Sequence, residues 1–139
     1  MKPRIALIAA TIVLFAGTAL AQEIKKAPAP YTTPASGKDM YMAYCASCHG
    51  QDAKGKGPAA PALKVAPPDL TLLARHNGGK YPELRVYSFI QGETMLPAHG
   101  SKEMPVWGPV FRSLDARDKG VVHLRITNLT RYIESLQVK

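Results

Sequence analysis

A chain of 139 residues with 46% hydrophobic and 20% charged residues is enough for one domain of ordinary globular composition. The formal net charge is +8, but the 18 Lys and Arg residues are scattered with no run of five, so the pattern speaks against nucleic acid and for a solvated basic surface that would steer an acidic partner. Only two cysteines are present, which leaves no second pair for a four-ligand zinc site.

Residues 1–21 read as an export signal. Lys2 and Arg4 form a positive start, Ile5 to Leu20 is apolar and uncharged, and Ala19-Leu20-Ala21 is a small-x-small cleavage site before Gln22. The apolar run of 16 residues is short for a membrane span of about 20. Kept uncleaved, it would be an anchor; cleaved, it leaves no transmembrane segment. Residues 22–35, with Lys25, Lys26, Pro28, Pro30 and Pro34, read as a flexible, extended linker. The remaining 36–139 form the domain.

Ser36 or Gly37 opens the first helix, with Asp39 in its first turn, where a negative charge suits the helix dipole. Met40, Tyr41, Tyr44 and Cys45 share one apolar face. Gly37 lacks a side chain and would let another helix cross closely. Met40 and Met42 read as core gap-fillers.

The helix runs into Cys45-Ala46-Ser47-Cys48-His49-Gly50. Two thiols three positions apart, followed at once by an imidazole, have the spacing for covalent attachment of a c-type haem. On a helical turn both thiols face one porphyrin, and His49 comes against the iron as proximal ligand. A thioredoxin-like dithiol would need a strand before the pair and a helix after it; here a helix precedes and a Gly/Pro-rich loop follows. A disulfide across two intervening residues would be strained.

Residues 50–68 form that loop, with Gly50, Gly55 and Gly57 permitting unusual backbone angles. Pro58, Pro61, Pro67 and Pro68 exclude a long helix. A ligating histidine needs an acceptor on its second ring nitrogen. The carbonyl of Pro58 or Pro61 is the candidate; otherwise these prolines only stiffen the loop. Asp69 caps a short helix from Leu70 to His76, its buried side supplied by Leu70, Leu73 and Ala74, with Asn77-Gly78-Gly79 ending it and His76 facing solvent. Pro82 takes the first position of a further helix, on which Leu84, Tyr87 and Ile90 follow at helical spacing before Gly92.

The stretch from Gln91 to Gly108 holds Met95, His99 and Met104-Pro105-Val106-Trp107-Gly108. A low-spin electron-transfer haem takes a strong sixth ligand, and thioether sulfur favours the ferrous state. Met104 is the choice, with Pro105 keeping it out of a helix and Trp107 packing on the porphyrin or its propionate edge. Met95 is the runner-up, His99 would give a bis-histidine haem of lower potential, and a vacant or water-filled position is the remaining outcome. Residues 109–118 form a short helix with Val110, Phe111 and Leu114 inward. The last helix starts near Asp118 or Lys119, and Val122, Ile126, Leu129, Ile133 and Leu136 form its apolar stripe. Arg125 and Arg131 are placed on its solvated face, and Tyr132 against the glycine side of the first helix. Packing within one chain is preferred to an oligomer face, giving a monomer.

Gly37-x-x-x-Tyr41, Cys45-Ala46-Ser47-Cys48-His49-Gly50, Gly57-Pro58, Met104-Pro105 and Leu129-x-x-Tyr132-Ile133-x-Ser135-Leu136 stand in the order seen in class I c-type cytochromes, which the chain resembles from about residue 35 to 137. Asp69-Leu70-Thr71, Gly79-Lys80-Tyr81-Pro82 and Met104-Pro105-Val106-Trp107-Gly108 look like the bacterial monohaem group. The resemblance implies an all-α fold, about four to five helices around one covalently bound haem c with the first and last helices crossing. It also implies thioethers at Cys45 and Cys48, with His49 and Met104 as axial iron ligands. The function expected is a periplasmic one-electron carrier, not an enzyme, working between redox proteins (an oxidase, reductase or dehydrogenase) whose own docking surface is acidic. The alternatives are a haem subunit of a larger respiratory dehydrogenase or oxidase complex, and a haem sensor or enzyme with an open distal site.

Overall fold

A computed structural model describes residues 29–92, 104, 107–116 and 118–138. The expected export signal, Met95 and His99 lie outside these residues. The described residues form helices α1 (Gly37–Tyr44), α2 (Ala46–His49), α3 (Glu83–Gln91), α4 (Trp107–Leu114) and α5 (Lys119–Ser135), with short 3-10 turns at Ala60–Ala62, Leu70–Leu72 and Arg75–Asn77. No strand occurs among them, and the fold is the all-α cytochrome c fold expected.

Ser36 caps α1 by accepting from the Asp39 N–H at 3.1 Å. Met40, Tyr41 and Tyr44 are buried, but Met42 is 39% exposed and is no core filler. Asp118 caps α5, accepting from the N–H groups of Gly120 and Val121. Val122, Ile126, Leu129 and Ile133 bury the α5 stripe against α1, α3 and α4.

The α1–α5 crossing depends on Gly37. A Cβ there would lie 2.8 Å from both the Asn128 carbonyl carbon and the Tyr132 Cβ, so only glycine lets the two backbones approach this closely. Beside it the Tyr41 and Tyr132 rings meet at 5.4 Å. The other end of the core is aromatic as well, with Trp107 5.3 Å from Tyr44 and 6.0 Å from Phe111. Fully buried Tyr41, Phe111, Ile126 and Leu129 each contribute about 1.5–3 kcal/mol of apolar burial, enough to make this seam the main source of cohesion.

Several sequence expectations need correction. Arg125 is fully buried, whereas Arg131 is exposed as expected. Three residues after Val122 and four before Leu129, Arg125 lies at the edge of the apolar stripe, and partners compensate its charge. Its Nε donates to Asp115 Oδ2 at 2.5 Å, and its Nη1 donates to the Thr32 carbonyl at 2.8 Å and to Thr32 Oγ1 at 3.2 Å. Asn128 Nδ2 donates to the Pro34 carbonyl at 2.9 Å, and the Tyr44 hydroxyl donates to the Pro30 carbonyl at 2.5 Å. From Pro30 onward the supposed flexible linker is therefore tied down on α5 and α1. The short helix expected from Leu70 to His76 is instead two 3-10 turns, in which the fully engaged Thr71 is the buried side chain and Leu70, Leu73 and Ala74 are only partly covered. Pro82 is the N-cap of α3, one position earlier than expected, and Leu84 is 83% exposed. Ile90, with partly covered Val86 and Tyr87, forms the inward face instead.

Candidate haem site

The site begins where α1 ends. Cys45 is at once the C-cap of α1, donating its N–H to the Tyr41 carbonyl, and the N-cap of α2. The N–H groups of Cys48 and His49 both donate to the Cys45 carbonyl, at 3.1 and 2.9 Å, so the three residues share a single helical turn. Cys45 is buried, Cys48 is half-buried, and both thiols are free. Gly50, at φ +80°, turns the chain out of the helix in a conformation that suits glycine.

A helix this short leaves its last carbonyls without partners. The loop that follows supplies them. Gly55 N–H donates to the His49 carbonyl at 2.8 Å, Gly57 N–H to Cys48 at 3.0 Å and Ala59 N–H to Ser47 at 2.8 Å. A Cβ on Gly57 would fall 2.6 Å from the Ala46 carbonyl oxygen, so this position must lack a side chain for the loop to lie along the motif. The loop thereby forms a rigid shell around one side of the Cys-x-x-Cys-His turn.

His49 is 8% exposed, and its Nδ1 lies 3.4 Å from the Pro68 carbonyl. The acceptor expected at Pro58 or Pro61 is thus ten and seven residues further along, at Pro68. With Nδ1 facing this carbonyl, Nε2 is the nitrogen left for a metal. Burial lowers the His49 pKa, and the Pro68 carbonyl acts in the opposite direction, so burial favours the neutral ring. Burial pushes the Cys45 thiol up to about 12, and neighbouring Cys48 adds to the rise. That is opposite to the activated thiolate of a redox dithiol.

Of the other expected residues, Met104 lies at a bend and is 38% exposed. Trp107 opens α4 and leans on Tyr44, the residue before Cys45. His76 is exposed. Among the described residues no three His, Cys, Asp or Glu side chains gather into a metal cage, so the motif does not extend into a zinc site. Two thiols on one turn beside a buried, oriented imidazole fit a covalently held haem.

The family model described as cytochrome c oxidase, cbb3-type, subunit III matches residues 32–122. The chain belongs to this family. No curated protein and no solved structure matches the chain. As a class I c-type cytochrome domain it binds haem c covalently, with its iron, and serves electron transfer. Such cytochrome domains are typically carriers of electrons rather than enzymes. No helix among the described residues is long and apolar enough to cross a membrane.

The carbonyl of Pro68 meets His49 from nineteen residues away along the chain. The expectation favoured Pro58 or Pro61, which are nearer to His49 along the chain, and only the folded path of the loop brings Pro68 to the ring instead.

Proposed function

We propose that this cytochrome is an exported, monomeric one-electron carrier whose haem is attached through Cys45 and Cys48 and held axially by His49 and Met104. The observation that carries the reading is the Cys45–Cys48–His49 turn with His49 Nδ1 directed at the Pro68 carbonyl. When bound, the haem supplies a ferrous–ferric couple. Cys45 and Cys48 fix its orientation, and the buried motif turn and the loop from Gly50 to Pro68 exclude water from the proximal side. Pro68 orients the His49 ring and raises the basicity of Nε2. With Met104 supplying a thioether in addition to the His49 imidazole, the iron would have no coordination position left for substrate, which favours electron exchange over catalysis. The scattered positive charge suits a brief docking with an acidic redox partner, at rates that fall as salt rises. Residues 1–21 would direct export to the periplasm and then be removed.

The family description favours a second reading, a haem subunit held in a larger oxidase complex. The two differ in residence time with the partner. Purification of the protein from cells that mature c-type haems, followed by acidified-acetone extraction, tests covalent attachment. The colour is expected to stay with the protein, and colour leaving with the solvent overturns the reading. Migration as a lone 15 kDa species or smaller, without co-purifying oxidase subunits, supports the carrier, and co-purification supports the complex.

A further inference from the structure

The geometry points to Gln137 as a positioning residue for the proximal side of the haem, an inference that rests on the reading of His49 as axial ligand. Gln137 follows α5 and uses its whole amide to hold a segment more than sixty residues away. Its Oε1 accepts from the Ala74 N–H at 2.8 Å, and its Nε2 donates to the Leu70 carbonyl at 2.8 Å and the Ile133 carbonyl at 2.9 Å. The orientation of the amide follows from its partners, since the reversed amide would set an oxygen against two carbonyls and an NH2 against an N–H. Next to it, the Val138 N–H donates to the Thr71 carbonyl at 3.0 Å.

The clasped segment is the one that carries Pro68. Leu70 is held from both sides: its N–H donates to the Ala53 carbonyl in the haem-motif loop at 2.8 Å, and its carbonyl accepts from Gln137. Asp69 closes the turn between them, its Oδ1 accepting from the Thr71 N–H at 2.9 Å and the Thr71 hydroxyl at 2.6 Å. Gly55 packs against the other side of Pro68; a Cβ there would lie 3.2 Å from the Pro68 carbonyl oxygen. Pro68 cannot donate to a ladder of its own, so these flanking contacts fix where its carbonyl points.

Placement matters because the His49 Nδ1 to Pro68 oxygen distance is 3.4 Å, at the outer limit of a hydrogen bond. A retreat of a few tenths of an ångström would remove it. A weaker bond at Nδ1 makes the imidazole a poorer donor and stabilises the ferric state less, so the reduction potential rises. Gln137 thus sets the potential through the Pro68 carbonyl.

The test compares the holoproteins of wild type, Gln137→Leu, Gln137→Glu and Tyr81→Phe. The Tyr81 hydroxyl donates to the Thr130 carbonyl at 2.9 Å, so Tyr81→Phe removes a different tie to α5 and controls for plain destabilisation. In Gln137→Leu the ratio of oxidised to reduced protein at a fixed potential should shift severalfold toward reduced, a tenfold change being about 59 mV. The His49 Nδ1 proton should exchange faster by NMR, with the low-spin optical spectrum retained. Gln137→Glu, which keeps the acceptor for Ala74, loses both donors and adds a negative charge that by itself favours the ferric state, should also exchange the His49 Nδ1 proton faster, and this readout carries the test if Gln137→Leu does not mature. Tyr81→Phe should keep the wild-type potential. A wild-type potential in Gln137→Leu, wild-type Nδ1 exchange in both Gln137 variants, or an equal shift in Tyr81→Phe overturns the inference. Failure of the underlying reading shows separately, as a wild-type low-spin spectrum in His49→Ala.

Discussion

The Tyr41 hydroxyl donates a buried hydrogen bond of 2.7 Å to the Gly50 carbonyl, tying α1 to the residue that leaves the haem motif. Tyr41→Phe should lower unfolding stability by about 1–2 kcal/mol, since the Gly50 carbonyl is left buried without its donor. Burial, and after it Cys45, Tyr132 and Asp52, raises the Tyr41 pKa above the usual tyrosine value. A group raised on folding stabilises fully below its unfolded pKa, about 10, and loses that contribution as pH climbs through the folded value. The stability gap between wild type and Tyr41→Phe, measured by urea unfolding, should therefore hold from pH 7 to 10 and narrow above it.

Gly37→Ala should cost about 1–3 kcal/mol, because the added methyl meets the rigid Asn128 backbone and the Tyr132 Cβ rather than a side chain that can swing away. Thermal unfolding of the variant reads the loss. An unchanged midpoint would mean that α1 and α5 cross elsewhere.

Arg125→Met should destabilise by about 3–5 kcal/mol, the usual cost of removing one partner of a buried ion pair. Asp115 is left partly buried without its cation, and Thr32 loses both of the hydrogen bonds that Arg125 Nη1 donates to it. Adding Asp115→Leu should recover part of the loss, and a double-mutant cycle in urea gives the coupling directly.

Met104→Ala should keep covalent haem but lose the weak far-red absorption of methionine-ligated ferric iron, and the reduced protein should bind carbon monoxide. Survival of the band would transfer the distal role to Met95.

The parts of this molecule legible in the sequence were those whose chemistry is local. Cys45, Cys48 and His49 are proposed as the haem residues from spacing alone. Gly37, the helix starts near Ser36 and Asp118 and the stripe from Val122 to Ile133 follow from helix geometry within a few residues. What could not be read depends on contacts between distant stretches. Arg125 looked like a solvent residue because of its charge, and its burial becomes intelligible only with Asp115 and Thr32 in place. Pro68 was one proline among several until Leu70 was pinned to Ala53 and Gln137. Leu84 matched the helical period yet faces water, since periodicity shows which residues align and not whether another element covers them.

Helix α5 grips the polypeptide near each extremity of the described domain, through Arg125 and Asn128 at Thr32 and Pro34, and through its own exit at Gln137. Such margins ordinarily fray first. Here they cannot peel away without unseating the longest helix, so backbone amides near both margins should resist deuterium exchange almost as long as those of the interior, and the domain should open as one cooperative unit.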